Sequence, residues 1–64
     1  MAKTRETDNR PLRMMIVWDV LESAKDAGDV MAINACRRLI NAENRGWRKH
    51  HDPADFALVM ALAA

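Results

Sequence analysis

The spacing of apolar residues along the chain predicts three helices. Apolar side chains recur every three or four positions between residues 12 and 27, and again between residues 30 and 45. This period is typical of the buried face of an amphipathic helix. Gly28 and Gly46 follow the two segments, and glycine commonly ends helices. No stretch shows the alternation typical of a strand, so the pattern predicts an all-α fold.

Polar residues next to these segments predict where the helices begin. Asn9 is a candidate N-cap for the first helix, and Pro11 suits its first turn. Asp29 is expected to cap the second helix. Asp52 is expected to cap the third, with Pro53 at its first position.

The same pattern sets the domain organisation. Residues 1–10 are polar and lack apolar periodicity, which predicts a flexible N-terminal arm. Residues 11–64 form a single three-helix domain, in which Trp47 to His51 are expected to be a loop between the second and third helices. The short Gly28–Asp29 connection makes the first two helices an antiparallel helical hairpin.

Each of the first two helices has one broad apolar face. On the first helix this face comprises Met14, Ile16, Val17, Val20, Leu21 and Ala24. On the second helix it comprises Ala32, Ile33, Ala35, Cys36, Leu39 and Ile40. A separate apolar stripe, formed by Leu12, Met15 and Trp18, falls beside the polar face of the first helix.

The end of the chain is apolar on every face. Residues 56–64 read FALVMALAA and contain no polar side chain. A 64-residue chain builds only a small core, which cannot surround such a helix. The single cysteine, Cys36, excludes an intrachain disulfide, so oligomerisation remains as the way to stabilise the fold. We therefore expect an intertwined or side-by-side homodimer. Its predicted interface comprises Phe56, Leu58, Val59, Met60 and Leu62.

Charge is nearly balanced over the chain but not along it. The net charge is +1, whereas residues 19–29 sum to −3 and residues 37–49 to +4. Two readings stay open: complementary solvated faces, or a block that meets a charged partner. The polar N-terminus lacks the apolar core of a signal peptide, and no apolar run is long enough to span a membrane. With the free cysteine, these features favour a cytoplasmic location.

The segment NRGWRKHHD, residues 44–52, combines a tryptophan with several cations. Tryptophan and arginine are enriched where proteins bind one another, so this segment is the predicted partner-binding site. Its residues are Trp47, Arg45, Arg48, Lys49 and His50, together with Arg38. In the alternative interpretation, Trp47 folds back over the end of the second helix and closes the core.

Catalysis and metal binding receive little support from the sequence. His50, His51 and Asp52 are adjacent rather than spaced as metal ligands, and Cys36 falls on the apolar face. The carboxylates of the first helix lie on a surface with no room for a cleft. We expect no enzyme activity, no cofactor and no metal.

The overall plan resembles that of small helical proteins with which bacteriophages disable host proteins. It is similar to the anti-quorum-sensing proteins of Mu-like Pseudomonas phages in length, in its helical hairpin, and in having Trp47 with charged neighbours after the second helix. That resemblance implies a dimer that sequesters a host protein, such as a quorum-sensing transcription activator or a pilus-assembly ATPase. The alternative is a small dimeric nucleic-acid-binding or transcription-regulating protein that uses its basic residues.

Overall fold

The computed structural model describes residues 11–64, and this part of the chain is built from four helices. They are α1 (Leu12–Ala27), α2 (Val30–Arg45), α3 (Trp47–His50) and α4 (Pro53–Ala63). The predicted all-α class is therefore confirmed. Asn9 and the predicted arm over residues 1–10 lie outside the described residues.

The helix boundaries follow the predicted capping residues closely. The Asp29 side chain accepts a hydrogen bond from the Ala32 N–H at 3.2 Å, and the Asp52 side chain accepts one from the Ala54 N–H at 2.9 Å. Gly28 ends α1 in the left-handed conformation, with φ of 71°. Pro11 is the N-cap of α1 rather than its first helical residue, and its side chain makes no capping bond.

The sequence predicts a loop from Trp47 to His51, after α2, and that prediction is wrong. Residues 47–50 form the one-turn helix α3, so the domain has four helices rather than three. Gly46 redirects the chain with φ of 121°, and its carbonyl then accepts hydrogen bonds from the N–H groups of Lys49 and His50. These two bonds close a helical turn within a segment that has no apolar periodicity, so the sequence pattern did not reveal it.

The core lies where α1, α2 and α4 meet, since each of these helices packs against the other two. Its principal residues are Met14, Val17, Val20, Leu21, Ala35, Cys36, Leu39 and Val59. The predicted buried faces of α1 and α2 are confirmed, although Ile16, Ile33 and Ile40 are only partly buried. Burial of Cys36 is likewise confirmed, as its exposed fraction is 0%.

Helix α4 joins this core through one narrow side. Val59 is fully buried and Phe56 packs partly buried against the same cluster. Asp55 is the only polar residue of α4, and it too points inward, where it meets Arg38 of α2. The remainder of α4 therefore faces away from the core.

Candidate protein-binding surfaces

The outward face of α4 carries no polar side chain. From Pro53 to Ala64, every exposed residue is proline, alanine, leucine or methionine. Leu58 and Met60 are each 37% exposed, and Leu62 is 47% exposed. Surfaces of soluble proteins mix polar and apolar groups, and contiguous apolar patches mark contact sites. This face therefore has the composition of an interface.

The five predicted dimer-interface residues divide into two groups. Val59 and Phe56 pack into the core of their own chain, which occupies most of their surface. Leu58, Met60 and Leu62 remain exposed on α4. The sequence does not predict this division. Because α4 is apolar all round, its pattern does not indicate which side packs against α1 and α2.

Trp47 lies in a cluster of rings that covers one end of the core. Its ring stacks on His51, with the centroids 4.4 Å apart and the planes at 3°. The Phe56 ring meets it edge-on, with the centroids 5.3 Å apart. The Arg13 guanidinium lies 4.7 Å from the centroid of the Trp47 ring. Trp47 is half-buried and makes the core-closing contacts of the alternative interpretation.

Two hydrogen-bonded side chains hold this cluster in place. His51 Nδ1 lies 2.7 Å from the Trp47 carbonyl oxygen, which fixes the imidazole beside the indole. Arg13 donates from Nε and Nη2 to Glu43 Oε1 of α2, at 3.2 and 3.0 Å. Arg13 thus both covers the Trp47 ring and joins α1 to α2.

The predicted partner-binding side chains occupy two different environments. Arg45, Arg48, Lys49 and His50 are exposed around the end of α2 and on α3. Arg38 lies near the middle of α2, and its side chain binds α4. It donates from Nε and Nη2 to the two carboxylate oxygens of Asp55, both at 2.8 Å.

The Arg38–Asp55 pair shifts the pKa of both groups in the direction that favours their charged forms. The hydrogen bond from Arg38 lowers the pKa of Asp55 and outweighs the opposing effect of burial. The hydrogen bond to Asp55 raises the pKa of Arg38. Paired hydrogen bonds between a guanidinium and a carboxylate are stronger than neutral ones and fix geometry. This pair therefore sets how α4 sits on α2.

A groove runs between α1 and α2 and encloses about 440 Å³. Its apolar lining comprises Trp18, Leu21, Ile33 and Ile40. Its polar lining comprises Lys25, Arg37, Asn41 and Asn44. None of these residues belongs to α4. Trp18, which is 40% exposed, also continues the exposed stripe of Leu12 and Met15 along α1.

The sequence pattern predicts the stripe of Leu12, Met15 and Trp18 but not the groove. Ile33 and Ile40 lie at the edge of the apolar arc of α2, where they pack partly buried against the core and also line the groove. A sequence signal did exist, because the apolar arc of α2 is wider than one neighbouring helix can cover.

Metal ligands and nucleophilic side chains are the groups that could support catalysis or metal binding. Within residues 11–64, no group of three or more His, Cys, Asp or Glu side chains could hold a metal ion. Burial raises the pKa of the Cys36 thiol, which disfavours the reactive thiolate. None of the helices described is both long enough and apolar enough to cross a membrane.

Comparison of the chain with protein-family models, with curated proteins and with solved structures finds no match in any of the three. The resemblance to phage proteins that bind host regulators therefore stays a prediction.

Proposed function

We propose that this protein is a small non-catalytic binding module that acts as a homodimer and sequesters another protein. One observation carries the proposal: every exposed residue of α4 is apolar. A water-facing helix with no polar side chain gains free energy when a second protein surface covers it. In the proposed dimer, Leu58, Met60 and Leu62 of the two chains face each other, beside the hairpin of α1 and α2.

The exposed Arg, Lys and His side chains around α3 supply the proposed contact with the partner protein. Arg45, Arg48, Lys49 and His50 lie together around α3, which the ring cluster of Trp47 holds against the core. Recognition residues on a rigid support lose less entropy on binding. A dimer presents this group twice, which raises its avidity for a dimeric target such as a transcription activator.

The charges of these side chains also support the alternative, a nucleic-acid-binding function. Phosphates attract Arg45, Arg48 and Lys49 as readily as carboxylates do. The neighbouring α1 carries exposed Asp19, Glu22 and Asp26, which repel phosphates. This repulsion favours a protein partner over a nucleic acid.

Affinity capture with a nuclease control tests the proposed function. The tagged chain is used to capture partners from a lysate of its native cells, with and without nuclease. We expect a protein that is retained after nuclease treatment and that is lost with the double variant Arg48→Glu, Lys49→Glu. Capture that disappears with nuclease would favour the nucleic-acid alternative instead.

The variant Trp47→Ala separates structural support from direct contact. Loss of the ring cluster should lower the free energy of unfolding by about 3 kcal/mol, the low end for a core aromatic, because Trp47 is only half-buried. Urea unfolding measures this change, and the affinity of the folded variant for the captured protein is then compared with that of the wild type. Unchanged stability would show that Trp47 does not close the core.

A further inference from the structure

The groove between α1 and α2 has the chemistry of a helix-binding site. Its floor is apolar, formed by Trp18, Leu21, Ile33 and Ile40. The lining from Ile33 to Asn44 spans twelve residues of α2, or roughly 16 Å of helix. That is about three turns, the length over which amphipathic helices place their anchor residues in grooves of other proteins.

The charges that line the groove select one kind of helix. Among residues 11–64, the charged residues that line it are Lys25 and Arg37, and no carboxylate from this part of the chain lines it. Within residues 11–64, neither cation forms an ion pair, whereas Arg13 and Arg38 are paired with Glu43 and Asp55. The amides of Asn41 and Asn44 can donate hydrogen bonds to carboxylates as well.

We propose that this groove binds an amphipathic helix of the partner protein whose apolar stripe is flanked by Asp or Glu residues. The stripe contacts Trp18, Ile33 and Ile40, and the carboxylates reach Lys25 and Arg37. The proposal rests on the proposed protein-binding function and adds a second docking surface for the same partner, separate from the basic side chains around α3. Helix α4 does not line the groove, so a dimer formed through α4 does not itself cover the groove.

Two synthetic helices test the proposal on the full chain. Both are peptides of about 15 residues, stabilised as helices by a side-chain crosslink, with leucines at the same i, i+3, i+4 and i+7 spacing. One carries Glu on both flanks and the other carries Lys. Fluorescence anisotropy of the labelled peptides should show the Glu peptide binding about tenfold more tightly at low salt, and high salt should remove the difference.

A matched pair of variants on α2 locates the binding. Arg37→Glu should weaken binding of the Glu peptide about fivefold or more, because it places a carboxylate beside the peptide's own. Met31→Glu introduces a carboxylate at an exposed position of α2 outside the groove and should alter the affinity less than about twofold. Lys25→Glu provides a second groove variant, and circular dichroism checks that all three remain helical.

Several outcomes would overturn the proposal. These are absence of Glu-peptide binding at millimolar concentration, equal binding of both peptides, or equal effects of Arg37→Glu and Met31→Glu. A change in the sedimentation mass of Arg37→Glu would show instead that a second copy of the chain occupies the groove. Failure of the proposed dimer is separate, because it appears as a monomeric mass of the wild type whatever the peptides do.

Discussion

At the scale of single residues, Asp55 has the most definite role. It is the one polar residue in α4, and its position in the first turn predicts only a favourable interaction with the helix dipole. In the fold it is buried and bound through both oxygens by Arg38. A buried carboxylate is tolerated only when it is paired, so the orientation of α4 depends on this contact.

The pH dependence of stability should reveal the Arg38–Asp55 pair. Because the pKa of Asp55 is lowered in the folded protein, ionised Asp55 stabilises the fold at neutral pH. This contribution is lost as the pH falls below about 4 and passes through the folded-state pKa. Urea unfolding should therefore show Asp55→Asn less stable than the wild type at pH 7, with the difference shrinking towards pH 2.

Two further variants control this prediction. Arg38→Gln should reduce the same pH dependence, and the double variant should add little to either single change. Arg37→Gln removes the neighbouring cation, which forms no ion pair within residues 11–64, and should leave the pH dependence unchanged. An identical pH profile for Asp55→Asn and the wild type would contradict the role assigned to the pair.

At the scale of elements, the two glycines that end α1 and α2 have different backbone conformations and different structural roles. Gly28 has φ of 71°, and its N–H reaches back to the carbonyls of Ala24 and Lys25. Gly46 has φ of 121° and ψ of 97°, a backbone conformation that residues other than glycine rarely adopt. It directs the chain into α3 and so brings Trp47 to the end of the core.

Alanine substitutions should separate the two glycines. Gly28→Ala should lower the free energy of unfolding by about 1 kcal/mol, the cost of a left-handed residue. Gly46→Ala should cost more, up to about 3 kcal/mol, and should weaken the packing of α3. A Cβ at Gly46 would lie 3.6 Å from His50 Cδ2, an ordinary contact, so the cost comes from the backbone. Urea unfolding measures the free energy of unfolding lost by each variant. Equal losses for Gly28→Ala and Gly46→Ala would contradict the prediction.

At the scale of the whole molecule, the packing of the described helices leaves much apolar surface exposed. Large apolar side chains remain exposed on three helices. They are Leu12, Met15, Trp18, Val30, Met31, Leu58, Met60 and Leu62. Three helices around one small core cannot cover them all, because each packs through a single face. A small domain with this surface is expected to gain stability from association.

Sedimentation equilibrium tests the dimer directly. The wild type should have twice the chain mass of 7.3 kDa, and its melting temperature should rise with protein concentration. Leu58→Asp should give monomer or unfolded chain, because it places an unpaired charge in the apolar contact. Val30→Asp makes the same kind of change at an exposed residue outside α4 and should leave the mass unchanged. A stable folded wild-type monomer would disprove the dimer.

The sequence by itself determined the elements whose signals are local. The bounds of α2 followed from Asp29 and Gly46, and the start of α4 from Asp52 and Pro53, since capping depends on residues within one turn. The buried position of Cys36 followed from the period of α2. Each of these features depends on neighbours close in the chain.

Only the tertiary structure decided which surfaces remain exposed. Helix α4 is apolar on every side, so its pattern could not show that Val59 and Phe56 face the core while Leu58 and Leu62 do not. Ile33 and Ile40 belong to the apolar arc of α2, and in the fold they pack partly buried against the core and also line the groove beside Trp18. The pairing of Arg38 with Asp55 joins residues 17 positions apart. These features depend on how the helices pack, which brings together residues that no local pattern relates.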